Sequence, residues 1–219
     1  TILCMSPERF LHLGNQRVSS SPIKGTIGRS DDADADEKLA KQLINSVTDR
    51  AENVMIVDLL RHDLGKSCQP GSIQVDQLFE LQSFKTVHHL VSTISGQLNT
   101  NTDALQLLAN CFPGGSITGT PKVRAMEIIE ELEPHRRSVY CGSIGYISCD
   151  GQMDTNIAIR SICVNGGRMA FNVGGGIVAD SIPAAEYDET LVKAAIAADQ
   201  SLDELDTAAR PMEETSPAE

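Results

Sequence analysis

The sequence predicts an α+β fold, with antiparallel sheets packed face to face and helices outside. Two observations carry this. Alternating apolar runs come in hairpin-like groups, the pattern of antiparallel pairing and not of a βαβ array. Between the groups lie single stretches of helical period, near 36–64, 103–111, 121–133 and 184–205, which can cover sheet faces. No internal repeat is visible.

The elements follow in chain order. The runs TILCM, RFLHL and QRVSSS alternate as strands, broken at Ser6-Pro7 and Gly14-Asn15. PIKGT (22–26) reads as a turn, followed by an acidic loop. From Asp36 to Leu64 one helix is expected, its apolar stripe running through Leu39, Leu43, Val47, Ala51 and Val54-Met55, with Gly65 as its stop. Residues 72–98 give three strands, SIQV, LFELQSF and VHHLVSTISGQL. A short helix near 103–111 leads into the loop CFPGGSITGTPK. Thr120 then caps a helix that starts at Pro121 and ends at Glu133-Pro134. Three strands in a meander follow, turning at Asp150-Gly151 and Asn165-Gly166. The helix 184–205 closes the body, and the polar, acidic, Pro-containing tail 206–219 reads as disordered. One domain over 1–205 is expected.

Composition narrows the function. The net charge of −12 sits mostly in Asp31, Asp32, Asp34, Asp36 and Glu37 and in the segment from Ser201 to Glu219, which carry −5 each and leave −2 for the body. A nearly neutral body with no basic stripe, no Trp and only five Phe and three Tyr argues against nucleic acid. No run of 18 apolar residues suggests a membrane span, and the start has no signal-like character. The six cysteines form no CxxC pair and read as reduced, buried side chains in a cytoplasmic protein. A start at Thr1 rather than Met reads as a cut from something longer.

Four features invite chemistry. Gly114 and Gly119 have the spacing of a phosphate-binding loop, but Thr120-Pro121 stand where such a loop needs Lys and Ser/Thr. The nucleotide-binding reading fails there. A helix start that holds an anion and a simple tight turn both remain open. Gly174-Gly175-Gly176 gives no packing, so it serves either backbone approach to a ligand or a sharp corner. Glu186, Glu189 and Lys193 share one helical face. Glu52, within the apolar run 51–60, is expected to be buried and so to need a cation or a metal. Three carboxylates from two helices, with no His/Cys cluster, suit Mg²⁺. Lys24 stands alone in its turn, and as a nucleophile it would have to be deprotonated.

Taken together, the ordered stretches SPERF, PIKGT, DRAENVMIVDLLRHDLGK, TVHHLVSTISGQL, FPGGSITGTPKVRAMEIIEELEP, GSIGY, IAIRSI, GGGIVADS and AEYDET resemble the chorismate-utilising enzymes. They span residue 6 to about residue 193. The resemblance is to the C-terminal part of that family, without the N-terminal part that completes its fold and in some members holds an allosteric amino-acid site. Lys24 in PIKGT points to the aminodeoxychorismate synthase component I branch, since anthranilate synthases usually carry Ala there.

The resemblance implies roles. Lys24 adds to C2 of chorismate while the C4 hydroxyl leaves, and Glu8 is the general acid/base beside that hydroxyl. Glu52 and Glu189 hold Mg²⁺, with Glu186 close by or acting through water. Tyr140, Arg160, Lys193 and the N–H groups of Gly174 and Gly176 bind carboxylates. Thr26, His89 and Ser116 line the hydroxyl side of the ring. The implied partner is a glutamine amidotransferase supplying ammonia, on the p-aminobenzoate and folate branch. The alternatives are an anthranilate synthase component I, which also expels pyruvate, and a folded module that only binds or is inactive.

Overall fold

The computed structural model describes residues 1–191, 193 and 194. They form two compact units, one of Cys4–Ile159 and one of Thr1–Leu3 with the chain from Arg160 onward. The class is the expected α+β, with antiparallel strands grouped between helices.

The larger unit is built on one sheet. Its strands are β2 (Arg9–Gly14), β3 (Arg17–Ser21), β4 (Ile23–Gly28), β5 (Gln74–Ser83), β6 (Val87–Gln97), β7 (Ser143–Ile147) and β8 (Met153–Ile157). The order is β4-β6-β3-β2-β8-β7, with β5 on the other side of β6. β3 and β4 lie end to end along β6, pairing with 94–97 and 87–91 respectively, and all these pairings are antiparallel.

Five helices belong to this unit: α1 (Ala33–Ile44), α2 (Val47–Gly65), α3 (Ala104–Cys111), the single turn α4 (Gly115–Thr118) and α5 (Lys122–Leu132). α2 carries the core stripe Ile56, Val57, Leu60 and Leu64, spaced so that one face turns inward. That stripe meets Phe10, Leu11, Leu13, Val18, Ile94, Leu107, Met153 and Ile157, each at most 5% exposed. Each such side chain contributes about 1.5–3 kcal/mol on burial.

Several local expectations are corrected. PIKGT is not a turn but the start of β4, bulged between Ile23 and Thr26. The helix expected over 36–64 is two helices. Asn45 ends α1, and Ser46 starts α2 by accepting a hydrogen bond from the Asp49 N–H. The acidic stretch is not a loop but the N-terminus of α1. Asp32 caps it and Asp34 and Asp36 lie in its first turn, where carboxylates suit the helix dipole.

SIQV and LFELQSF are one strand, β5, with register shifts at 75–77 and 77–80 and a left-handed Phe79 (φ 58°). Pro121, not Thr120, occupies the N-cap of α5, and no side chain caps it. The run 152–164 is two strands in different sheets, β8 and β9 (Ser161–Asn165), with Arg160 at φ 47° between them.

The smaller unit holds the sheet β1-β9-β10, from β1 (Ile2–Cys4), β9 and β10 (Arg168–Phe171). β9 and β10 join through Gly166 and Gly167, both at positive φ, as a two-residue hairpin turn of the primed type requires. β10 ends at Phe171, so the triple glycine follows the strand across an intervening Asn172-Val173. Residues 183–191, 193 and 194 are helical. The expected end of that helix and the acidic tail lie outside the described residues. All six cysteines are free. Cys68, Cys111 and Cys141 are buried as expected, Cys4 and Cys163 are half-buried, and Cys149 is exposed.

Candidate active site

Lys24 sits in the β4 bulge. The following residue, Gly25, has φ +93°, and a Cβ there would stand 2.9 Å from Leu43 Cδ1 and 3.2 Å from Asp49 Cβ. Helices α1 and α2 thus press on the bulge, and only glycine accepts both the conformation and the closeness. The half-buried Lys24 is held by this irregularity.

Two residues on, Thr26 faces His89 across the β4/β6 pairing, with Oγ1 2.8 Å from Nδ1. His89 is 3% exposed and meets the Phe84 ring edge-on at 5.6 Å between centroids. The threonine hydroxyl therefore fixes the imidazole's orientation. Glu8 is 7% exposed. Its N–H donates to Ser6 Oγ and its carbonyl accepts from the Ile157 N–H, which locks the backbone that carries the carboxylate.

Ser116 lies on α4, inside the loop that joins α3 to α5. A Cβ on Gly114 would stand 2.5 Å from Ile157 Cδ1, and one on Gly115 2.2 Å from Leu59 Cδ2, so both glycines are demanded by packing against β8 and α2. Tyr140 is half-buried, and burial pushes its phenol above the usual range. It stays neutral near pH 7, able to donate a hydrogen bond to a carboxylate.

Glu52 is half-buried rather than buried, because α2 turns Asn53, Ile56 and Val57 inward instead and leaves Ala51, Val54 and Met55 exposed. Beside it, Asn53 is fully buried, and its Oδ1 accepts from Ser92 Oγ at 2.6 Å. The Asn53 amide nitrogen has no acceptor among the described residues.

The smaller unit gathers the second group. Lys193 Nζ lies 2.5 Å from Glu189 Oε1 and 3.5 Å from the Gly174 carbonyl. Ser181 Oγ donates to Glu186 Oε1 at 2.5 Å. A Cβ on Gly175 would stand 3.1 Å from Glu186 Oε2 and 3.9 Å from Lys193 Nζ, so the missing side chain lets the loop approach this helical face. Gly174, Gly175, Glu186, Glu189 and Lys193 therefore form one constellation. Gly176 has open space beside it. Arg160 stands at the start of this unit in the left-handed region, a conformation a non-glycine side chain holds at some cost and that clusters at functional sites.

The structure thus brings together Thr26 with His89, and the triple glycine with Glu186, Glu189 and Lys193. Lys24, Glu8, Glu52, Ser116 and Tyr140 belong with Thr26 and His89 to the larger unit, and Arg160 to the smaller. Ser181 and Asn53 were missed in the sequence reading. Ser181 ends the quoted GGGIVADS stretch, which was signal enough to mark it.

Glu52, Glu186 and Glu189 each offer carboxylate oxygens, the donor type that a hard divalent ion such as Mg²⁺ takes. Glu186 and Glu189 are engaged by Ser181 and Lys193 and would exchange those partners for an ion. Among the described residues no group of three or more His, Cys, Asp or Glu side chains converges into a metal site.

Residues 1–199 match the sequence profile of the chorismate binding enzymes. The chain belongs to this family. It is 55% identical over 192 residues to aminodeoxychorismate synthase component 1 of Salmonella typhimurium, a match over 88% of this chain and 42% of that protein. An anthranilate synthase component I-like protein of Synechocystis is 44% identical over 88% of this chain and 40% of the relative. Among solved structures, anthranilate synthase component I of Streptococcus pneumoniae superposes with a TM-score of 0.78 at 39% identity, over 87% of this chain and 42% of that one. The menaquinone-specific isochorismate synthase of Escherichia coli gives 0.80 at 27% identity, over 90% and 45%. The chain spans less than half the length of these relatives. No helix among the described residues is long and apolar enough to cross a membrane.

Proposed function

We propose that this chain is the chorismate-handling part of an aminodeoxychorismate synthase component I. It would aminate chorismate to 4-amino-4-deoxychorismate with ammonia from a glutamine amidotransferase partner, in the cytoplasm, on the way to p-aminobenzoate and folate. The observation that carries the reading is Lys24, an amine held in a strand bulge that two helices clamp, two residues from the Thr26–His89 pair. The 44–55% identity to bacterial proteins named aminodeoxychorismate synthase component 1 supports it. Six free cysteines are in keeping with a reducing compartment.

In this reading the neutral Lys24 amine forms a bond to C2 of chorismate, the ring double bonds shift, and the C4–O bond breaks. Glu8 gives its proton to the departing hydroxyl, which leaves as water. Ammonia then bonds to C4, the double bonds shift back, and the lysine amine is released with a proton returned to Glu8. The net change is chorismate plus ammonia to 4-amino-4-deoxychorismate plus water. Thr26, His89 and Ser116 orient the hydroxyl side of the ring, while Tyr140, Arg160, Lys193 and the N–H groups of Gly174 and Gly176 bind the carboxylates. Bidentate guanidinium recognition suits such a group. Glu52 and Glu189, together with Glu186, would supply the oxygen ligands of Mg²⁺, whose charge would neutralise the ring carboxylate.

Lys24→Ala tests the covalent step. The variant should keep chorismate binding, lose formation of 4-amino-4-deoxychorismate, and turn any residual amination toward direct attack of ammonia at C2. Intact-mass measurement of the parent with chorismate should show an adduct on Lys24. Full amination by Lys24→Ala, with no adduct in the parent, would refute the assignment. Anthranilate as the parent's product would place the chain in the other branch.

A further inference from the structure

Beneath the Ser116 loop lies a charge cluster that the chemistry above does not use. Asp63, near the end of α2, is 1% exposed. Its Oδ2 lies 2.6 Å from Lys122 Nζ and its Oδ1 2.8 Å from Lys66 Nζ. An ionised carboxylate out of water is costly unless paired in good geometry, so this arrangement needs a reason. The two lysines are not equivalent. Lys66 is 44% exposed on its side chain, Lys122 only 15%.

Lys122 also donates to the Cys111 carbonyl at 2.9 Å. Cys111 is the last residue of α3 and Lys122 the first of α5, so one ammonium ties together the two ends of the ten-residue loop 112–121 and fastens both to α2. Within that loop sit Gly114 and Gly115, wedged on Ile157 and Leu59, and Ser116. A second tether runs from Arg137 Nη1 to the Ile117 carbonyl at 2.6 Å.

We infer that Lys122, anchored by Asp63, is a positioning residue that sets the height of the Ser116 loop over α2, and hence the fit of the substrate ring against it. This rests on the proposed reading of that loop as part of the chorismate site. Lys66 balances the outer oxygen of Asp63 and touches α3 only through a long 3.5 Å contact to the Asn110 carbonyl, so it does not join the two ends of the loop. A cluster that served stability only would, on losing Lys122, loosen the fold as a whole and leave the KM for chorismate unmoved. A cluster that positions the loop depends on Lys122 alone.

The test uses the full chain, supplied with ammonia as the nitrogen donor. Lys122→Met and Lys66→Met each leave Asp63 one ammonium, so neither strands a buried charge. Lys122→Met should raise amide hydrogen exchange at 114–119 at least tenfold, with β6 and the middle of α2 unchanged, and raise the KM for chorismate at least tenfold with a smaller change in kcat. Lys66→Met should match the parent in both, and Lys122→Arg should recover part of the KM. Equal effects of the two Met variants, no effect of Lys122→Met, a loosened loop with an unmoved KM, or collapse of the whole fold in Lys122→Met would each overturn the inference. A parent that does not turn over chorismate refutes the proposed function instead, and the exchange pattern still judges the tether.

Discussion

A hydroxyl and an imidazole 2.8 Å apart, across two strands, illustrate how single residues are held in this molecule. His89 is buried, and Thr26 Oγ1 is one partner that orients its ring. Thr26→Val keeps the volume and removes that partner. It should lower stability by about 0.5–1.5 kcal/mol, the usual net worth of one hydrogen bond, and Thr26→Ser should restore most of it. Denaturant titration of the three proteins checks this. If His89 also lines the substrate, Thr26→Val should slow turnover beyond what the stability change explains, and Thr26→Ser should not. The burial of Glu52 could not be placed from sequence for a comparable reason. Its neighbours Ala51, Val54 and Met55 are apolar but face outward, and only the inward turn of Asn53 and Ile56 fixes the helix's rotation.

At the scale of elements, α2 organises the larger unit, packing against β4, β6, α3 and α4. Its contact with α4 is a close fit: Gly115 has no room for a methyl group against Leu59 Cδ2. Gly115→Ala should therefore cost about 1–3 kcal/mol, as overpacking does, and shift the Ser116 loop. Adding Leu59→Ala opens the space. The double variant should recover loop position and chorismate KM relative to Gly115→Ala, although it carries its own cavity penalty. A Gly115→Ala protein with parental KM and melting temperature would contradict the fit.

Elements with strong periodicity were legible: β2, β3, β6, α3, α5 and the β9–β10 hairpin all fall where alternation, helical period or an Asn-Gly pair put them. What was not legible depends on contacts across the chain. The bulge that makes PIKGT a strand is created by α1 and α2 pressing on Gly25. The division of 152–164 into β8 and β9 follows from the unusual backbone of Arg160, which no pattern of polar and apolar residues encodes. Of the candidate site, the shared face of Glu186, Glu189 and Lys193 was readable from helical spacing alone, whereas the approach of Gly175 to that face was not. The Asp63–Lys122 tether was not, since 59 residues separate its partners.

Considered as a whole, the chain spans under half the length of its relatives, and of the residues proposed for the site, Glu8, Lys24 and Glu52 lie in the larger unit and Arg160, Glu186, Glu189 and Lys193 in the smaller. The larger unit also holds the three buried thiols, which give its stability a signature. Burial pushes Cys68 up to about 11 and Cys111 up to about 12 from an ordinary value of 9.0, with the Asp63 charge adding to the effect at Cys111. Cys141 is raised for the same reason. In the unfolded chain these thiols ionise near their ordinary value, while the folded chain keeps the protons. Stability from this source is therefore complete below about pH 8 and falls as pH rises between roughly 9 and 12, with a slope of at most about 1.4 kcal/mol per pH unit for each thiol. Urea midpoints should be level from pH 7 to 8 and then drop steadily toward pH 11. Cys111→Ala, although less stable at neutral pH through its lost packing, should show a shallower alkaline decline. In the native parent at pH 8 the exposed Cys149 should react with a thiol reagent at once, and Cys68 and Cys111 only after denaturation. A parent and a Cys111→Ala variant with the same alkaline slope would show that this thiol is not the group whose proton the fold retains.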